Sequence, residues 1–180
     1  MSKAVLISIR PKWCGKIVSG EKTIEVRKTR PKMETPFKCY IYCTKAEERL
    51  ICILKDGDEN YGEIYHGKPV FIKTDEGSVC DMWGKRQKVI GEFLCEEIVE
   101  IDGARRIQSD VARPTCLEPA ELHKYLGVAV GYGWHISSLK IYDEPKELGE
   151  FTGLRKTKFG MEHVAITRPF QSWGYVEEFP

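Results

Sequence analysis

Apolar and polar positions partly alternate along Ala4–Arg10 (AVLISIR), where β-branched residues predict a strand. Pro11 follows and suits the first turn of a helix, because the N–H it lacks would be unpaired there. Trp13 with Ile17 and Cys14 with Val18 are i, i+4 pairs, so Pro11–Ser19 reads as a short amphipathic helix that Gly20 stops. Lys22–Thr29 is a predicted strand with Ile24 and Val26 on one face and Thr23, Glu25 and Arg27 on the other. Pro31 and Pro36 bracket a loop before the strand Phe37–Cys43, and Lys45–Leu54 reads as a short helix. Lys55–Gly62 is loop-like, Lys68–Lys73 a strand, and Thr74–Gln87 a polar excursion. Lys88–Ile101 is a long strand, Gly103–Thr115 fits no single element, and Pro119–Leu126 repeats the pattern of proline first and glycine after. Trp134–Tyr142 and His163–Thr167 complete the strands.

Six or seven short strands with two or three short helices predict an α+β, mainly β chain: a compact small β-barrel with covering helices. The helix between the first two strands also fits a βαβ crossover, against which the lack of further regular alternation speaks. There is no internal repeat and no low-complexity segment.

The chain has 180 residues, 42% hydrophobic and 31% charged, which fits one domain with a packed core rather than a disordered chain. No apolar run approaches the roughly 18 residues of a membrane span. The first ten residues lack the order of a signal peptide, so a cytoplasmic location without membrane contact is expected. The seven cysteines lie mostly among apolar neighbours with no C-x2-C pair, as expected of buried reduced thiols. Cys39 and Cys43 with a distant histidine are the alternative, a zinc site, but their segment reads as a strand; no metal and no cofactor are expected.

Net charge is +1, yet Arg10–Lys32 holds eight basic and two acidic residues, so this stretch carries +6, Lys3 adds +1 and residues 33–180 carry −6. A basic segment on an otherwise acidic domain orients it toward a phosphate-bearing partner; the plain alternative is a solvated charged surface. Within the segment, Gly20-Glu21-Lys22-Thr23-Ile24-Glu25-Val26-Arg27 places a helix stop before a lysine, a glutamate and an arginine. Glu25 and Arg27 share a strand face and can pair or line a groove together. An amine set among cations and partly desolvated becomes a usable base or nucleophile, whereas an exposed salt-bridge ladder is worth under about 1 kcal/mol per pair.

The run Ile7-Ser8-Ile9-Arg10-Pro11-Lys12-Trp13, the step of seven positions from Trp13 to Gly20, and G-x-K-x-x-E-x-R on Gly20, Lys22, Glu25 and Arg27 resemble the ASCH domain family. Lys28–Arg30, Cys39–Cys43 with Thr44-Lys45, and Trp134-His135-Ile136 with Leu139, Ile141 and Pro145 are also similar to it. Arg168-Pro169-Phe170-Gln171-Ser172-Trp173 resembles an extension of phage and prophage members. The departures are Lys12, where some eukaryotic members have proline, and the long stretch Asp56–Gln87.

The resemblance implies a PUA-like β-barrel, here a single domain over residues 1–180 with an insertion around 56–87 and a C-terminal extension at 151–180. It also implies a cleft facing RNA or a nucleotide, between the first helix and the barrel. In that cleft Lys22, Arg27, Lys28 and Arg30 would contact phosphate, Thr23 would lie among the ligand-binding residues, Trp13 would stack on a base or pack into the core, and Glu25 would accept from a base edge or hold Arg27. Some members hydrolyse N4-acylcytidine and others are reported as ribonucleases. That alternative makes Lys22 base or nucleophile, Glu25 proton shuttle and Arg27 the oxyanion partner. The amidohydrolase threonine falls on Glu25 here, with Thr23 nearby, and its distant glutamate has only Glu118 and Glu121 as candidates. A third reading, a phage protein-interaction module, would use Phe170, Trp173 and Tyr175, which the alternative packs onto the barrel.

Overall fold

The computed structural model describes residues 2–44, 52–54, 70–72 and 87–179. Its strands are β1 (Lys3–Ile9), β2 (Ile24–Arg27), β3 (Phe37–Cys43), β4 (Cys52–Leu54), β5 (Val70–Ile72), β6 (Lys88–Asp102), β7 (Val130–Glu147), β8 (Thr152–Thr157), β9 (Gly160–Ala165) and β10 (Trp173–Glu177). The helices are α1 (Pro11–Val18), α2 (Ser109–Ala112) and α3 (Pro119–Leu126), with 3-10 turns at Arg113–Thr115 and Leu148–Glu150. This is the mainly β architecture with short covering helices that the pattern predicts, with more strands than the pattern resolves. Eight strands form one sheet in the order β2-β7-β6-β3-β1-β10-β8-β9, an open ladder, and β4 pairs β5 separately.

Each helix has a local cause. Pro11 opens α1, and the chain leaves it at Gly20, whose φ of +76° is a left-handed conformation that other residues avoid. In α3, Glu118 and Glu121 form a reciprocal capping box around Pro119. The residues that fit no single element, Gly103–Thr115, contain α2 and the first 3-10 turn. The expected helix over Lys45–Leu54 is corrected at its end, where Cys52–Leu54 is a strand; residues 45–51 lie outside the described residues. The loop at 55–62 and the excursion at 74–86 lie outside them too.

Strand β1 runs parallel to β3 and antiparallel to β10. The β1–β3 connection is therefore a crossover that carries α1 and β2 along with it, and β2 pairs instead with β7. β10 was not foreseen as a strand: Trp173, Tyr175 and their neighbours lie inside the sheet, between β1 and β8. The β6–β7 ladder shifts register at Val89/Gly91, Glu92/Leu94 and Cys95/Ile98, irregularities that bend its two long strands.

Alternation divides the core. Val5, Ile7, Ile9, Cys39, Ile41 and Cys43 join α1 and Trp134 in one cluster, while Ala4, Leu6, Tyr40, Tyr42 and Val176 join Phe151 on the opposite face. A third cluster packs Ile24 and Val26 of β2 against Leu122 and Leu126 of α3. Cys39 and Cys43 are four residues apart on an extended strand, roughly 13 Å, too far to share one ion.

Cys14, Cys39, Cys43 and Cys95 are buried free thiols. Burial pushes the thiols of Cys14 and Cys39 well up, and Cys95 to about 12. A buried thiol that stays protonated while the unfolded chain ionises favours unfolding as pH rises. Stability is thus expected to be flat in this respect below about pH 8 and to fall above it, by about 1.4 kcal/mol per pH unit for each such thiol. Urea midpoints between pH 7 and 10.5 check this; an unchanged midpoint at pH 10 contradicts it.

Candidate functional site

Three segments converge beside α1. β2 presents Glu25 and Arg27 on the face opposite Ile24 and Val26, and the turn after α1 delivers Lys22. The 3-10 turn before α3 supplies the Thr115 carbonyl, which accepts from Lys22 Nζ at 2.7 Å. Glu25 sits between two cations, with Oε2 3.3 Å from Lys22 Nζ and Oε1 2.9 Å from Arg27 Nη2. The side chains of Lys22, Glu25 and Arg27 are only 3%, 8% and 12% exposed. They form a buried ionic triad rather than an exposed ladder.

Arg27 extends the triad toward the C-terminal segment. Its Nη2 donates to the Ser8 carbonyl at 2.7 Å and its Nη1 to Ser172 Oγ at 3.4 Å. Ser8 in turn donates from Oγ to the Phe170 carbonyl at 2.6 Å and from its amide to the Ser172 carbonyl at 2.8 Å. Trp173 Nε1 donates to Thr29 Oγ1 at 3.0 Å, which ties the same segment to the residues after β2.

These groups surround a cleft of about 410 Å³, lined among others by Arg10, Trp13, Lys22, Glu25, Arg27 and Tyr125. Lys22 Nζ lies 5.2 Å from the centre of the Trp13 ring, and Lys12 lies 4.9 Å from it. Trp13 is half-buried: its ring packs on the core and also borders the cleft. Burial pushes the Tyr125 hydroxyl up, opposed by the Arg27 charge and assisted by Glu25. Next to the cleft, Lys28, Arg30, Lys32, Met33 and Tyr132 border a second groove of about 610 Å³. Lys28 sits over the Tyr125 ring at 5.2 Å and Arg30 over the Tyr132 ring at 5.7 Å, so cations and aromatic rings interleave from one opening to the next.

Of the residues singled out in the sequence, Trp13, Lys22, Glu25 and Arg27 meet in the cleft, and Lys28 and Arg30 border the adjoining groove. Thr23 does not join them. It is exposed, and its backbone is held by Pro114 and Ile136. Glu118 and Glu121 cap α3 and do not line the cleft. Phe170, Trp173 and Tyr175 are half-buried, with the Trp173 ring tilted against Trp134 at 5.8 Å. Ser8, Thr44, Leu117, Tyr125 and Gln171 were not anticipated as cleft residues. Local pattern could not bring them in, because each reaches the cleft through long-range packing.

Among the described residues no helix is long and apolar enough to cross a membrane. No protein-family model matches the sequence, and no curated relative does. Solved structures do. The ASCH protein of Zymomonas mobilis is 20% identical, with a TM-score of 0.52 over 81% of this chain and 73% of that one. A tyrosine-to-phenylalanine variant of it aligns at 17% identity and TM-score 0.53, covering 98% of this chain and 92% of its own. A serine-to-alanine variant gives 17% identity and 0.52, with 97% and 89% covered. Together with the mostly stranded sheet and its short helical covers, this likeness establishes that the chain has the PUA-like fold of the ASCH domain.

Proposed function

We propose that the protein binds single-stranded RNA or an RNA-derived nucleotide in the cleft beside α1. The observation that carries this reading is the alternation of rings and cations from Trp13 with Lys12, through Tyr125 with Lys28, to Tyr132 with Arg30. Rings offer stacking surfaces to unpaired bases, and cations track the phosphates between them. The cleft volume, about 410 Å³, is of the size that takes a small ligand. The fold shared with ASCH structures and the +6 charge of Arg10–Lys32 support the same reading.

Affinity for a short single-stranded RNA should fall with salt. Three phosphate contacts from Lys28, Arg30 and Lys32 give a slope of log K against log salt of roughly −2. The double variant Lys28→Ala/Arg30→Ala should flatten it to under half. Fluorescence anisotropy on a labelled oligonucleotide from 25 to 200 mM salt measures both; no binding at low salt, or binding without a slope, overturns the proposal.

The hydrolytic alternative asks Lys22 to act as base or nucleophile. Nζ is held as a donor to Thr115 O and against Glu25; an ammonium so held has no lone pair, and it would have to pass its third proton to another group before it could attack a substrate. Assays of N4-acetylcytidine and of an RNA ladder with wild type and Lys22→Ala test it: only activity that vanishes in the variant favours this alternative over binding.

A further inference from the structure

Resting on the binding reading above, we infer that Gln171, carried by the C-terminal segment, is the residue that reads the base edge and sets base preference. The motif charges are poorly placed for that task. Lys22, Glu25 and Arg27 are engaged with one another and with the carbonyls of Thr115 and Ser8, Arg27 Nε alone being buried without a partner, and the Ser8 hydroxyl is spent on Phe170. The polar side chains around the cleft that form no hydrogen bond among the described residues are those of Arg10, Thr44, Tyr125 and Gln171. Arg10 only donates and suits phosphate, while Thr44 and Tyr125 each bring one hydroxyl. Gln171 alone of the four holds a donor and an acceptor side by side, the pattern that matches a base edge in two hydrogen bonds.

The backbone under Gln171 is held on both sides. The carbonyls of Phe170 and Ser172 accept from Ser8, Ser172 Oγ accepts from Arg27, and Trp173 is tied to Thr29 and packed against Trp134. The Phe170 ring packs into the core on the opposite face of the sheet from the cleft cluster. The amide of Gln171 is thus an exposed group, unengaged among the described residues, on a fixed support at the cleft, the arrangement that gives selectivity rather than bulk affinity. The segment that forms the far wall would supply discrimination, and the motif would supply the frame.

The test is equilibrium binding of four five-nucleotide RNAs that differ only in a central A, C, G or U, with wild type, Gln171→Ala and Gln171→Glu. Wild type should separate its best and worst bases by about ten-fold, the scale of a two-bond contact. Gln171→Ala should compress that ratio to under about three-fold while leaving the salt slope unchanged. Gln171→Glu can only accept, so it should shift preference toward bases that present an amino group, guanine above all because its N1–H and N2 amino donors lie side by side, and away from uracil. A merely structural role for Gln171 would not redirect preference in this way. Wild-type binding without base preference, or a preference that survives in Gln171→Ala, overturns the inference and leaves the binding function standing; absence of all RNA binding overturns the function itself, and the inference with it.

Discussion

Glu25→Ala is expected to lower the free energy of unfolding by about 3–5 kcal/mol, the usual effect of removing one partner from a buried ion pair. The carboxylate holds Lys22 and Arg27 at 3.3 and 2.9 Å, and its loss leaves two largely buried cations side by side with no counter-charge. Lys22 would keep the Thr115 carbonyl and Arg27 the Ser8 carbonyl, so hydrogen bonds survive while charge balance does not. Lys22→Met should cost less, because Glu25 remains paired with Arg27. Urea unfolding followed by circular dichroism ranks the two. A Glu25→Ala loss below about 1 kcal/mol, the level of an exposed pair, would show that the triad is solvated.

Trp134→Ala should cost a similar amount, about 3–5 kcal/mol, for a different reason. Trp134 is fully buried and lies directly across the ladder from Glu25. It meets Phe37 edge-on at 5.9 Å and Trp173 at 5.8 Å. Truncation opens a cavity under β2 and removes the surface on which the C-terminal segment rests, so stability and cleft shape should fail together. Trp134→Phe should recover most of the loss: it refills much of the space and removes an indole N–H that is buried without a partner. If the phenylalanine variant is as unstable as the alanine variant, the cavity account is wrong.

What the sequence reveals of this molecule follows from range. α1 is legible because Pro11, the apolar pairs and Gly20 lie within ten residues, and α3 because its proline and glycine bracket one apolar face. β8 and β10 are not. Thr152–Thr157 (TGLRKT) is only partly apolar and half-exposed, and Trp173–Glu177 (WGYVE) earns its place by pairing with β1 some 170 residues away. The motif Lys22, Glu25 and Arg27 is visible as a pattern, but its condition is not: an exposed ladder and a buried triad have the same spacing. What distinguishes them is the Thr115 carbonyl and the Ser8 backbone, which only the fold brings in. Thr23 shows the converse: alternation places it with Glu25 and Arg27, but β2 begins only at Ile24, and Thr23 lies before it with an exposed side chain.

Mapping the bound ligand residue by residue is the most direct test of the cleft as the binding surface. Backbone amide shifts of isotope-labelled protein, followed during titration with a five-nucleotide single-stranded RNA at low salt, should move around Arg10–Trp13, Lys22–Arg30, Leu117–Tyr125 and Gln171–Ser172, and should leave the opposite sheet face around Phe151 and Ile166 unchanged. Saturating shifts confined to that opposite face, or no shifts at all, would contradict the account.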